Sequence, residues 1–137
     1  MKNLSLNMSH IDGLGPPQIV GGPVDEYRVS GSDAVFPCQA LAIPQHNITW
    51  SFMDASGSIA EIITTAASNT TNYLIIADEN DARFGELTVR SVNYGSRGTY
   101  FCVAANEFGT HPAQANLTVQ GKIQHYTFSS IEYLLTF

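Results

Sequence analysis

An all-β sandwich or barrel is the fold class that this sequence predicts, and three observations carry it. From Pro16 to Gln120 the apolar residues fall in short alternations with a period of two, and no segment keeps a helical period. Clusters of Gly, Pro, Asn, Asp and Ser punctuate those runs at short intervals, as they do where strands are joined by tight turns. Apolar residues make up 44% of the 137 and charged residues 13%, against ~25% charged in an average soluble domain, which supplies a core and excludes a disordered chain. The length suits one domain rather than two.

The elements follow in order. Residues 1–15 are polar and end in Gly13-Leu14-Gly15, a flexible lead-in, and Pro16-Pro17 then starts an extended chain. Val24–Val29 reads as a strand closed by the turn Ser30-Gly31-Ser32-Asp33. Ala34, Phe36, Cys38 and Ala40 share the next inward face, with Pro37 on the other. Because Pro37 has no N–H for the ladder, a local bulge or an unpaired outer position is expected there. Ile48, Trp50 and Phe52 then face inward and Asn47, Thr49 and Ser51 outward. Ile59–Thr64 and Tyr73–Ile76 are short β-rich runs, separated by the polar stretch Ala66–Asn72. After the acidic turn Asp78-Glu79-Asn80-Asp81 come Leu87, Val89 and Val92, and Asn93-Tyr94-Gly95-Ser96 turns the chain again. Gly98–Asn106 is a strand with Tyr100, Cys102 and Ala104 inward. Phe108-Gly109 leads into a last strand with Ala115, Leu117 and Val119 inward. That makes eight or nine strands and no internal repeat.

Within this pattern a cysteine is followed by a tryptophan 12 residues on and by a second cysteine 64 residues after the first, with Tyr100 two residues before Cys102. Around them stand Gly31-Ser32, Cys38-x-Ala40, Leu87-x-Val89-x-x-Val92, Gly98-x-Tyr100-x-Cys102-x-Ala104-x-Asn106-x-x-Gly109 and Leu117-x-Val119. This text resembles the immunoglobulin superfamily, most closely its I-set, over residues 16–120. A variable-type domain is the structural alternative, because the cysteine separation is long for an I-set domain, an excess that an insertion at Ser68–Asn72 would explain.

The resemblance implies an immunoglobulin-like β-sandwich of two antiparallel sheets, pinned by a Cys38–Cys102 disulfide. Trp50 and Leu87 would pack at the pin, and the Tyr100 hydroxyl would reach upstream backbone. A loop of this length would contribute ~4 kcal/mol in the loop-entropy account. Asn106 and Gly109 suit their hairpin because both tolerate positive φ. The family usually has Asp two residues before Gly98, often paired with Arg. Here Ser96 stands in that place, and a hydroxyl–backbone contact is expected instead of an ion pair.

Function is narrowed first by exclusion. The net charge is −6 with no basic cluster, so a phosphate backbone would be repelled and nucleic acid is no expected partner. No apolar run approaches the ~20 residues that span a bilayer. His10, His46, His111 and His125 lack metal-ligand spacing and read as surface loop histidines. The acidic turn lacks the Gly and closing Glu of a calcium loop. Gly13-x-Gly15 and Gly21-Gly22 open no phosphate-binding helix, and no nucleophile elbow occurs, so neither an enzyme nor a cofactor is expected.

Positive signals come from asparagine. Nine Asn and 23 Ser plus Thr would give about 1.5 N-x-[ST] acceptors by chance, yet five occur, at Asn3, Asn7, Asn47, Asn69 and Asn116. That excess points to the secretory pathway, where a disulfide also persists. The resemblance then implies an extracellular protein-binding module of an adhesion, receptor or matrix protein, with neighbouring domains in a longer parent chain. Its partners would be other proteins, by homophilic or heterophilic contact. A cytoskeletal scaffold module of the muscle type and a soluble immune-recognition or decoy domain are the rivals. Parity puts Asn47 and Asn116 on one outer face with Phe101 and Val103 between them. That strip is screened if both sequons carry glycans and is an adhesive patch if they do not.

Met1–His10 has a basic start but no unbroken apolar stretch, so it does not read as a signal peptide. Residues 121–137 fall outside the domain. Eight of these 17 residues are large and apolar, with a clean period of neither two nor 3.6. An element docked on the sandwich and the start of a next domain are two readings of this tail. A third is favoured, an exon read-through or truncation of a longer receptor, because Gly121-Lys122 codons can hold the GTAAG of a splice donor.

Overall fold

The computed structural model describes residues 14–41, 47–62, 72–78, 81–121, 124–128 and 131–135. Among the described residues ten strands build two stacked sheets: β1 (Gln18–Gly21), β2 (Glu26–Val29), β3 (Ala34–Phe36), β4 (Gln39–Leu41), β5 (Asn47–Asp54), β6 (Ile59–Ile62), β7 (Tyr73–Asp78), β8 (Asp81–Val89), β9 (Gly98–Asn106) and β10 (Gly109–Gln120). One sheet runs β1-β4-β8-β3 with β7 also on β8, and the other runs β2-β10-β9-β5-β6. All pairs within the sandwich are antiparallel except β2, which lies parallel to β10, Leu117 opposite Glu26 and Gln120 opposite Val29.

The alternation in the sequence is the alternation of burial. Ala34, Phe36, Cys38 and Ala40 are fully buried, as are Trp50, Leu87, Tyr100, Cys102 and Ala104, and Ala115, Leu117 and Val119 close the core from β10. Pro37 divides the run into β3 and β4, yet both halves pair with β8, and the Gly85 N–H donates to the Cys38 carbonyl across the gap at 2.8 Å. One strand, β6, lies beyond β5, where a variable-type domain carries two. A second would fall within 63–71, outside the described residues, as does most of the insertion expected at Ser68–Asn72.

Three expectations need correction. First, the strand expected over Val24–Val29 begins at Glu26, and an earlier one, β1, precedes it. Gly21-Gly22-Pro23 carries the chain from one sheet into the other: Pro23 gives no ladder donor, and Gly22 passes close to Ile19 and Ala113. Second, His111 is no loop histidine. It sits in β10 with its Nδ1 accepting from the Ile19 N–H at 2.8 Å, which ties β1 across to the opposite sheet. His10 and His46 lie outside the described residues, and of His125 only the backbone is described. Third, Asn106 does not take positive φ, whereas Gly109 does, at +150°. Asn106 acts through its side chain, with Oδ1 accepting from the Phe108 N–H at 2.9 Å and Nδ2 donating to the Gly15 carbonyl at 2.8 Å.

The tie at His111 has a measurable consequence. His111→Leu keeps the apolar bulk but leaves the Ile19 N–H without its acceptor, at an expected cost of ~1–2 kcal/mol. Urea denaturation gives the size, and faster amide exchange confined to β1 identifies the cause.

Beyond Gly121 the backbone of Gln124–Phe128 (β11) and Ile131–Leu135 (β12) pairs antiparallel into a two-stranded ribbon. Among the described residues it forms a sheet of its own and extends neither sheet of the sandwich. No helix among the described residues is long and apolar enough to cross a membrane.

Candidate functional site

The centre of the sandwich is the Cys38–Cys102 disulfide, with 6.5 Å between Cα atoms, joining β4's approach to β9 across the sheets. Trp50 faces Cys102 from the neighbouring strand β5 and is fully buried. Its indole N–H has no acceptor among the described residues, so packing fixes the ring. An aromatic stack runs alongside. Phe36 lies 6.4 Å from Trp50 and 5.0 Å from Tyr100, and Phe52 lies 4.7 Å from the same tyrosine. Leu87 closes this cluster from β8, opposite Phe36 and Ile75.

The Tyr100 hydroxyl donates to the Ser96 carbonyl at 2.7 Å. Burial first, and then neighbouring Tyr73, push its pKa up, so the hydroxyl stays a donor. Ser96 also uses its side chain, Oγ accepting from the Asn93 N–H at 3.0 Å while Asn93 Oδ1 accepts from Gly95. The missing aspartate is thus replaced by a capping box on the short 3₁₀ turn Tyr94–Ser96. These groups are structural: they hold the turn that precedes β9. Among the described residues no three His, Cys, Asp or Glu side chains gather as metal ligands. Asp78 and Asp81 pair at the close of the β7–β8 hairpin, and Glu79 lies outside the described residues.

The outer surfaces are where a partner would meet the domain. On the β10-β9-β5 face, Phe101 lies between Ser51 and Gln114, and Val103 between Thr49 and Pro112. Both are half-buried. Asn47 is exposed opposite Ala105 and Asn116 is exposed opposite Thr99, so the two sequons occupy opposite corners with Phe101 and Val103 on the diagonal between them. Asn3, Asn7 and Asn69 lie outside the described residues.

The opposite sheet carries apolar residues on its outer face that sequence reasoning did not single out. Val35, Leu74 and Ile76 are 38%, 41% and 44% exposed, more than Phe101 or Val103. Their signal was parity, since Tyr73 and Ile75 pack on the core and Leu74 and Ile76 must then face outward.

This geometry has counterparts among known proteins. The immunoglobulin domain family matches over residues 16–106. The chain belongs to that family. Among curated relatives, human neogenin is 35% identical over 95 residues, covering 69% of this chain and 6% of neogenin. The peroxidasin homolog of Caenorhabditis briggsae is 30% identical over 106 residues, covering 77% of the chain and 7% of that protein. The chain therefore spans a small part of these relatives' length. Among solved structures, an I-band fragment of titin superposes with a TM-score of 0.67 at 26% identity, covering 83% of this chain and 36% of the fragment. This immunoglobulin domain has a central disulfide, a fully buried tryptophan beside it and a tyrosine hydroxyl bonded to upstream backbone.

Proposed function

We propose that this immunoglobulin domain is an extracellular protein-recognition module of an adhesion, receptor or matrix protein and one unit of a longer parent chain. The observation that carries this reading is the excess of sequons together with the buried Cys38–Cys102 bond: the first are acceptors that only the secretory pathway uses, and the second is a bond that persists there. The likeness to neogenin and to a peroxidasin homolog supports it. The titin fragment favours a second reading, a cytoskeletal scaffold module, and the two diverge in their covalent chemistry. Protein from its native compartment is expected to shift mobility between reducing and non-reducing electrophoresis and to lose mass with glycosidase. Free thiols and no glycan would assign it to the cytoskeleton.

Glycans at Asn47 and Asn116 would flank Phe101 and Val103 and leave that face a poor contact surface. Phe101→Asp in the fully glycosylated protein is therefore expected to leave binding to cells or matrix of the source tissue within a factor of about two, in line with a surface substitution outside the contact. Loss of that binding would identify the strip as adhesive.

A further inference from the structure

A groove of about 440 Å³ opens beside Asn116, at the end of the β10-β9 face, lined among others by Ala55, Tyr94, Arg97, Thr99, Asn116 and Thr118. Two planar groups form one wall. The Arg97 guanidinium lies 3.7 Å from the centroid of the Tyr94 ring, and its Nη1 donates to the Tyr94 carbonyl at 2.7 Å, yet Tyr94 remains 60% exposed. Asn116 is held on the other side. Its backbone N–H donates to Asp25 Oδ1 at 2.8 Å, and its side-chain Oδ1 accepts from the Thr99 hydroxyl at 2.8 Å. That contact uses the amide oxygen, so the nitrogen Nδ2 is not committed by it. Thr118, the hydroxyl residue of the Asn116-Leu117-Thr118 sequon, lines the same groove.

We propose that this groove is the seat of an N-linked glycan on Asn116, with the first N-acetylhexosamine lying across the Tyr94–Arg97 pair. A sugar of this class suits the wall. Its axial C–H face packs on an aromatic ring, its acetamido carbonyl accepts from a guanidinium, and Thr99 keeps the linking amide in one orientation. The attachment balances without redox chemistry: Nδ2 bonds to the anomeric carbon of a lipid-linked oligosaccharide, the lipid diphosphate leaves, and Nδ2 gives up one proton. The proposal rests on the secretory reading above and adds which sequon is structurally used and by what surface.

The test uses the full chain, secreted from mammalian cells behind a heterologous signal sequence and trimmed by an endoglycosidase that leaves one sugar. Glycopeptide mass spectrometry is expected to find Asn116 occupied. The melting midpoint of the trimmed protein is expected to exceed that of Asn116→Gln by about 3 °C, the size a single stacking contact gives in a domain this long. In Tyr94→Ala that gain is expected to vanish. Nuclear Overhauser contacts between the sugar and the Tyr94 ring provide a second readout, independent of how well that variant folds. Asn116 empty while Asn47 is occupied, or an equal gain in Tyr94→Ala, would overturn the groove assignment alone. No sequon occupied and both thiols free would overturn the secretory reading with it.

Discussion

Replacing Cys38 and Cys102 together by alanine is expected to destabilise the domain by ~3–5 kcal/mol, against the ~5–15 kcal/mol that a folded domain usually has. Two effects add. The bond closes a loop of 64 residues, and opening it returns that restriction to the unfolded chain. Both sulfurs are also fully buried in the layer that holds Trp50 and Phe36, so removing them leaves a void against rings that are already locked by packing. Cys38→Val with Cys102→Ala fills part of that void and is expected to recover ~1 kcal/mol, which separates the packing contribution from the cross-link. Equilibrium urea unfolding measures both. A double variant within about 1 kcal/mol of the native unfolding free energy would mean that the sheets are held by packing alone, and would remove the physical reason to tie this domain to an oxidising compartment.

The sandwich was legible because burial on one side of each sheet writes a period of two into the sequence, and because Cys38, Trp50 and Cys102 are residue types whose spacing few other arrangements need. Gly98–Asn106 could be delimited to the residue, since both flanks carry strong turn chemistry. What escaped was set by contacts distant in sequence. Gln18–Gly21 has too few residues to show a period, and its place depends on a histidine 92 positions away. For the same reason His111 read as a surface group: nothing next to it in the sequence announces the Ile19 N–H. Asn106 read as a conformational residue because its type permits positive φ, but the Gly15 carbonyl and the Phe108 N–H supply a use for its side chain that keeps its backbone in the strand. The outer faces were the least legible. Parity places Phe101 and Val103 outward, yet how far their neighbours Ser51, Gln114, Thr49 and Pro112 cover them is a matter of side-chain packing.

Gly98→Ala is expected to cost ~3–4 kcal/mol, far more than a glycine at a strand start usually would. Gly98 opens β9 at φ +151°, a conformation essentially closed to residues with a side chain. Space is the larger obstacle. A Cβ here would run into the Met53 carbonyl oxygen and would lie 2.8 Å from Phe52 Cε1. Neither neighbour can withdraw cheaply. Met53 is ladder backbone, registered on Thr99, and Phe52 is stacked on Tyr100, whose hydroxyl is in turn fixed to Ser96. The displacement would therefore pass into the aromatic stack and open the tyrosine bond that anchors the turn before β9. Gly57, in the β5–β6 turn, provides the control: its φ is +91°, but a Cβ there would meet nothing within 4 Å. Gly57→Ala consequently bears conformational strain alone, ~1 kcal/mol. Urea midpoints at an unchanged m-value give the two costs directly. Equal losses would mean that β5 yields at Met53 and that the close approach is not a constraint. A difference of ~2 kcal/mol or more would assign it to the contact between the two strands that hold Trp50 and Cys102 in register.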